Sequence, residues 1–381
     1  MDANEEFELK EICFVSHVPV KSEIPTKTCF KDIRDLEFNG MSDHYINYSM
    51  ARVQGSRYLM NAGSNRDYFV DTSTLTANKA DIDIRSPIDN HYNIRIENFT
   101  NCFIEGEYML LVGFFGKMAI LRGLQYIGQI EFQAKVENCK NDTTIYGRYA
   151  QQVDKTVYVV DLLGDFYRIE WQDIKDGNYQ KTLVVKSNVE NFFVDRGLGL
   201  AIVNENGTLS LDNNDNGTLS LDNKTEVELQ TKFNPLAKWK IVTCVAKCWI
   251  VSGDCYLDGH AIMASISKKS SIKSTQKIKL TSNGYKGISG SEYGGIYALR
   301  KVYITGMRGI MIAIERDGCC HLMSVDFGRL TVLQSIDSIV DVDMVLYESE
   351  NIVHSVTAAR TKGEFIVGGC GWTRVITVKY K

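Results

Sequence analysis

Strand-length apolar runs, seven glycine-bearing turns at near-regular spacing, and a basic landmark in register with those turns predict an all-β chain. They predict a single seven-bladed β-propeller spanning residues 1–381. The runs come first. Tyr68 to Val70, Met109 to Val112, Val157 to Val160, Leu200 to Val203, Ile310 to Ile314 and Val375 to Val378 are short and rich in the β-branched and aromatic types that suit a pleated surface. Few segments of a dozen residues keep a helical period.

The turns carry more weight, because a tight hairpin needs residues that accept positive φ, and Gly, Asn and Asp supply them. They stand at Gly63 to Asn65, Gly116, Gly164-Asp165, Asn206-Gly207, Asp258-Gly259, Asp317-Gly318 and Gly371, about 43 to 59 residues apart. That interval is near the length of a four-stranded blade.

A second landmark precedes the turns. Tyr48-Ser49-Met50-Ala51-Arg52, Ile304-Thr305-Gly306-Met307-Arg308 and Val356-Thr357-Ala358-Ala359-Arg360 each read apolar, hydroxyl, two small or apolar residues, Arg. Each Arg falls ten or eleven residues before its turn glycine. This is the spacing of an innermost strand that ends, turns, and is followed by the strand leading to the hairpin. Weaker forms end at Arg196 and Lys247.

A third landmark follows the hairpin, where a strand closes on an apolar residue and an acid: Val70-Asp71, Ile169-Glu170, Leu211-Asp212 and Val325-Asp326. Here the chain resembles the WD40-like propeller family, whose repeats end a third strand in Trp-Asp. No unit has that dipeptide, and Gly259-His260 sits in the hairpin and not at the family's Gly-His position. The resemblance covers roughly residues 45 to 381 and speaks to architecture, with almost nothing implied about function.

On this reading the blades occupy approximately 45–86, 95–133, 144–186, 190–230, 238–280, 296–336 and 340–381. The last blade is one strand short, and the apolar stretch Phe7 to Val15 has no blade of its own. A strand at 5–17 is therefore expected to complete the last blade and close the ring, since an open edge would template aggregation. A pair of β-sandwiches would also give short strands, but with a boundary linker and less regular spacing.

Composition narrows the function classes. With 44% apolar and 24% charged residues the chain can bury a large core, and a net charge of −4 provides no global field for nucleic acid or anionic membrane. Met1 to Lys10 is acidic and polar, unlike a signal peptide, and no apolar stretch has membrane-helix length. Ten irregularly spaced cysteines suit buried thiols in a reducing compartment. A cytoplasmic or nuclear protein is expected, with the six N-x-S/T sequons arising by chance in an Asn-rich chain.

Chemistry-bearing motifs are sparse. Gly113-Phe114-Phe115-Gly116-Lys117 lacks the spacing of a phosphate loop. Cys244, Cys248 and Cys255, and the run Cys319-Cys320-His321, lack zinc spacing and read as buried thiols. Asp212, Asn214 and Asn216 resemble a weak calcium loop, with Asn223 where a bidentate acid belongs. No other metal and no cofactor is expected. That loop lies in a tandem copy, Asn204 to Asn213 followed by Asn214 to Asn223, and both copies cannot fill one strand position.

The candidate binding residues are the basic side chains at corresponding strand ends, Arg52, Arg196, Lys247, Arg308 and Arg360, with Glu105 and Val153 interrupting the series in the second and third units. In a propeller they would surround one channel mouth and attract carboxylate or phosphate. The competing account is strand capping or pairing with acids. A non-enzymatic scaffold or adaptor subunit is the expected function. It would join one or more proteins in a complex, recognising an acidic or phosphorylated partner segment. The alternative is a propeller-type hydrolase or lactonase with a metal at the channel mouth. Nucleic-acid binding would need the basic residues, or the Lys268 to Lys279 run, to merge into a stripe.

Overall fold

The computed structural model describes residues 29–38, 49–79, 99–132, 150–212, 224–229, 238–279, 302–339 and 353–379, apart from loops of one to five residues inside these ranges. Two strands precede the repeats, β1 (Cys29–Asp35) and β2 (Glu37–Phe38). Sheet I contains β3 (Ser49–Gln54), β4 (Arg57–Asn61), β5 (Asp67–Asp71) and β6 (Thr76–Lys79). Sheet II contains β7 (Phe99–Glu105), β8 (Tyr108–Gly113), β9 (Lys117–Arg122) and β10 (Gln125–Glu131). Sheet III contains β11 (Ala150–Val153), β12 (Thr156–Val160), β13 (Phe166–Glu170) and β14 (Thr182–Val185), with helix α1 (Trp171–Lys175) before its last strand.

Sheet IV is β15 (Val189–Asp195), β16 (Gly199–Asn204), β17 (Thr208–Asp212) and β18 (Lys224–Glu228). Sheet V is β19 (Lys238–Val245), β20 (Cys248–Cys255), β21 (His260–Ser267) and β22 (Ile272–Lys279). Sheet VI is β23 (Val302–Met307), β24 (Ile310–Glu315), β25 (Cys320–Asp326) and β26 (Arg329–Ile336), and sheet VII has β27 (Val353–Ala358), β28 (Glu364–Gly369) and β29 (Thr373–Lys379). Sheets I to VI are each built on four consecutive antiparallel strands, whereas sheet VII takes its fourth strand from the opposite end of the sequence, in the order β1-β29-β28-β27.

The β1 pairing corrects one expectation. The strand against β29 is Cys29–Asp35, not the apolar stretch at 5–17, which lies outside the described residues. An outermost strand is half solvated, and the mixed sequence CFKDIRD, with four charged residues in seven, suits it. Charge fixes the pairing: Arg34 Nη2 lies 3.3 Å from Glu364 Oε1, and Arg374 Nε donates to Asp35 Oδ1 at 2.6 Å. The chain then runs on to β2, which pairs in parallel with β6, so one segment touches the outer edges of sheets VII and I.

Every turn singled out in the sequence falls between the second and third strands of a sheet. Gly164 and Gly207 adopt φ of 78° and 77°, the left-handed backbone these turns require. The apolar–acid landmark also has one place, since Asp71, Glu170, Asp212 and Asp326 are the last residues of the third strands of sheets I, III, IV and VI. Asp71 Oδ1 accepts from Ser73 N at 2.9 Å and Ser73 Oγ at 2.6 Å, and Glu170 accepts from Thr156 Oγ1 at 2.7 Å. In the tandem duplication the first copy forms β17, and the second falls outside the described residues.

Alternation along the strands gives each sheet two apolar faces, and the core is divided accordingly. Leu59 meets Leu111 and Leu121 between sheets I and II, and Leu110 and Ile120 meet Val157 and Trp171 between II and III. Phe166 meets Phe192 and Leu200 between III and IV, and Leu209 and Leu211 meet Trp249 and Ala264 between IV and V. Ile250 and Met263 meet Met311 and Met323 between V and VI, and Ile312 and Leu322 meet Phe365 and Ile376 between VI and VII. Ile366 and Val375 of sheet VII then pack on Tyr58, Met60 and Val70 of sheet I. Each sheet thus buries both faces against its sequence neighbours, and the last meets the first. That is a β-propeller.

Candidate functional site

The first strand of each sheet faces the centre. β3 lies against β7, β11 against β15, β15 against β19, β19 against β23, β23 against β27, and β27 against β3. The turns leaving these inner strands therefore gather at one mouth of the channel, and this is where the sequence places its basic series.

Arg196 follows the last residue of β15 at the crest of a turn built by its neighbour. Asp195 Oδ1 accepts from Gly197 N and Leu198 N, both at 2.8 Å, and this short-range cap sets the direction of the Arg196 backbone. The Arg196 guanidinium donates to Asp154 Oδ1, linking sheet IV to sheet III, while 37% of the Arg196 side chain and 54% of the Asp154 side chain remain exposed. Asp154 occupies the two-residue turn between β11 and β12, with φ of 54°. Arg52 is in β3, opposite Tyr58. Lys247, Arg308 and Arg360 lie outside the described residues, each between the end of a first strand and the start of the second.

Sheets II and III bring acids to the same end. Glu105 ends β7 and accepts from Lys175 Nζ of α1 at 3.2 Å, while Glu107 Oε1 lies 2.8 Å from Arg122 Nη2. The Arg122 guanidinium holds the Glu107 carboxyl below its ordinary range, chiefly through this hydrogen bond. The mouth is therefore two-sided in sequence: acids stand at the turns between the first and second strands of II and III, basic residues in the corresponding turns of IV, V, VI and VII, while Arg52 stands within β3, two residues before its end.

Sequence reasoning missed Gln151. Its amide donates through Nε2 to Val194 O and accepts through Oε1 from Val194 N, both at 2.8 Å, and so joins inner strands β11 and β15 as a backbone peptide would. The only advance sign is a polar pair, Gln151-Gln152, in a strand otherwise suited to burial.

The remaining candidates are dispersed. Asp212 is buried at the end of β17, where a side chain in place of Gly199 would touch its carboxylate, while Asn214 and Asn216 lie outside the described residues. No group of three His, Cys, Asp or Glu side chains suited to a metal occurs among the described residues. Cys102, Cys248, Cys319 and Cys320 are buried and unbridged, and burial pushes the Cys320 thiol up. Cys319 Sγ lies 3.6 Å from His321 Nε2, and His321 Nδ1 lies 2.8 Å from Ser335 Oγ. These residues belong to sheet VI's interior and not to the channel mouth.

No protein-family model and no curated protein matches the chain. Solved structures do match. A chain in a structure of the mitotic checkpoint complex shares 9% identity at a TM-score of 0.58, over 96% of this chain and 99% of that one. The WD40 domain of Toxoplasma gondii coronin shares 9% identity at 0.56, over 95% and 89% of the two chains. YCF48 bound to D1 peptide shares 13% at 0.54, over 91% and 96%. At such identities the likeness is one of fold, and it agrees with the arrangement of sheets: the chain is an all-β propeller.

Proposed function

We propose that the chain is a non-enzymatic protein-interaction scaffold, an adaptor subunit that receives an acidic or phosphorylated segment of a partner at the channel mouth. The ring has seven blades, and β1 closes it by completing the seventh. Arg52, Lys247, Arg308 and Arg360 supply the positive arc. Arg196 stands at its end, with Asp154 taking part of its donor capacity. A guanidinium can hold one carboxylate and still offer donors to a second anion. The observation that supports the reading is the packing of the first strands against one another around the centre, with Arg196, Lys247, Arg308 and Arg360 in the turns that follow four of them and Arg52 two residues inside the end of β3.

Two further facts support it. Solved relatives of the fold include one described as bound to a peptide and one within a multi-protein complex. No helix among the described residues is long and apolar enough to cross a membrane. The irregularly spaced cysteines are the ground on which we place the protein in the cytoplasm or nucleus.

The test is capture of partners from native extract by the wild-type chain and by the triple variant R52E/R308E/R360E, after circular dichroism and thermal melting show that the variant is folded. A partner retained by the wild type, lost by the variant, and released by phosphatase or raised salt is the expected result. Equal retention by both proteins would refute the channel-mouth reading.

A further inference from the structure

The outer edges of the sheets differ in how they are protected. An edge strand presents unpaired backbone groups, and charged residues within it are the usual defence against added strands. Here β10 carries Glu131, β18 carries Lys224, Glu226 and Glu228, and β22 has Lys273, Lys277 and Lys279. β26 starts with Arg329, β1 has four charged residues in seven, and β6 carries Lys79 and is covered by β2. β14, with sequence Thr182-Leu183-Val184-Val185, is the one outer strand among those described that has no charged residue, and it is the free edge of sheet III. Leu183 is 46% exposed, one of two large apolar side chains so placed among the described residues.

We infer that the β14 edge is a docking site for an extended segment of a partner protein, added as a further strand, with apolar residues at its centre and acidic residues at both ends. The chain itself supplies the precedent, since β2 adds in parallel to the edge of sheet I. Lys181 and Lys186 bracket β14. They decide between occupants. An antiparallel second copy centred on Leu183 and Val184 would set Lys181 of one chain opposite Lys186 of the other, a like-charge pairing that disfavours self-association. An acid-flanked partner strand meets the same lysines with opposite charge, gaining main-chain hydrogen bonds along the edge and contact with Leu183 between them.

The probe is the acetylated and amidated peptide Glu-Val-Thr-Val-Ser-Glu, with Lys-Val-Thr-Val-Ser-Lys as its control. Hydrogen–deuterium exchange of residues 180–188 is the readout, together with affinity from fluorescence anisotropy. The acid-flanked peptide is expected to slow exchange there and to bind about tenfold more tightly than the control. Leu183→Lys should abolish the protection, and Lys186→Glu should reduce or reverse the preference, with melting temperature unchanged because both side chains are exposed. The triple variant R52E/R308E/R360E should bind the peptide as the wild type does, which separates this site from the channel mouth. Absence of protection at millimolar peptide, equal binding of both peptides, or a concentration-dependent dimer that protects β14 would each overturn the assignment.

Discussion

Arg374 Nε donates to Asp35 Oδ1 at 2.6 Å across 339 residues of sequence, and the same guanidinium donates to Ile339 O and lies 5.8 Å from the Trp372 ring. The pair is lopsided: the Arg374 side chain is 10% exposed and that of Asp35 67%. Removing the acid leaves Arg374 with its carbonyl and aromatic neighbours, so Asp35→Ala should cost about 1 kcal/mol. Removing the arginine leaves a cavity and takes away three contacts at once, so Arg374→Ala should cost about 3 kcal/mol. Chemical denaturation of the two variants checks the order.

Gly369 should not tolerate a side chain. Its N–H donates to Trp372 O at 3.0 Å, and the Trp372 indole folds back over it, so that a Cβ would stand closer to the ring than real atoms approach. Trp372 packs against the core between sheets VI and VII and cannot swing away without loss. Gly369→Ala should destabilise by about 2 kcal/mol, read as a shift in denaturation midpoint with unchanged slope.

Asp161 and Tyr167 should give the stability a pH signature. Burial, first of all, raises the Asp161 carboxyl; Leu163 N and Asp165 N donate to its Oδ1, while its Oδ2 has no hydrogen-bond partner among the described residues. A raised carboxyl contributes stability below its unfolded range of about 4, and that contribution is lost as pH rises through the folded value. Asp161→Asn should therefore be more stable than the wild type near neutral pH, with the gap closing at acid pH. Tyr167, pushed up to about 12 by burial and then by Asp161 and Asp165, contributes stability below about 10 that is lost as pH rises through about 12. Ultraviolet titration of phenolate follows the second event.

Gln151 predicts a local effect between sheets III and IV. Gln151→Glu keeps an acceptor for Val194 N but loses the donor to Val194 O, and places a charge in the inner strand. A cost of about 1–2 kcal/mol is expected, with faster amide exchange at β15, measured against Gln151→Asn as a control for reach.

Asp154 holds Arg196, so Asp154→Ala should raise affinity for an anionic partner segment about threefold, and Arg196→Ala should lower it by a similar factor. Titration calorimetry with inorganic pyrophosphate as a simple polyanion would read both changes, and the wild-type ordering should collapse at high salt.

The repeat is legible in the sequence because its signals are local. Gly164 and Gly207 mark their hairpins through φ values that other residues adopt only at a cost, and Asp71 marks a strand end through a turn it caps itself. The basic series is likewise a reading from local spacing, since Arg52, Arg196, Lys247, Arg308 and Arg360 fall about ten to twelve residues before such a turn glycine. What only the tertiary structure decided is which distant segments meet. Cys29–Asp35 is a less apolar stretch than residues 7–15, and nothing within it announces β29; the choice is made by Arg374, Glu364 and an edge that solvent half covers. The pairing of Arg196 with Asp154, the Gln151 clamp and the uncharged edge at β14 depend in the same way on which sheets adjoin and which strand stands outermost. Those relations come from closing a ring of sheets, where contacts between residues far apart in sequence leave no periodic trace along the chain.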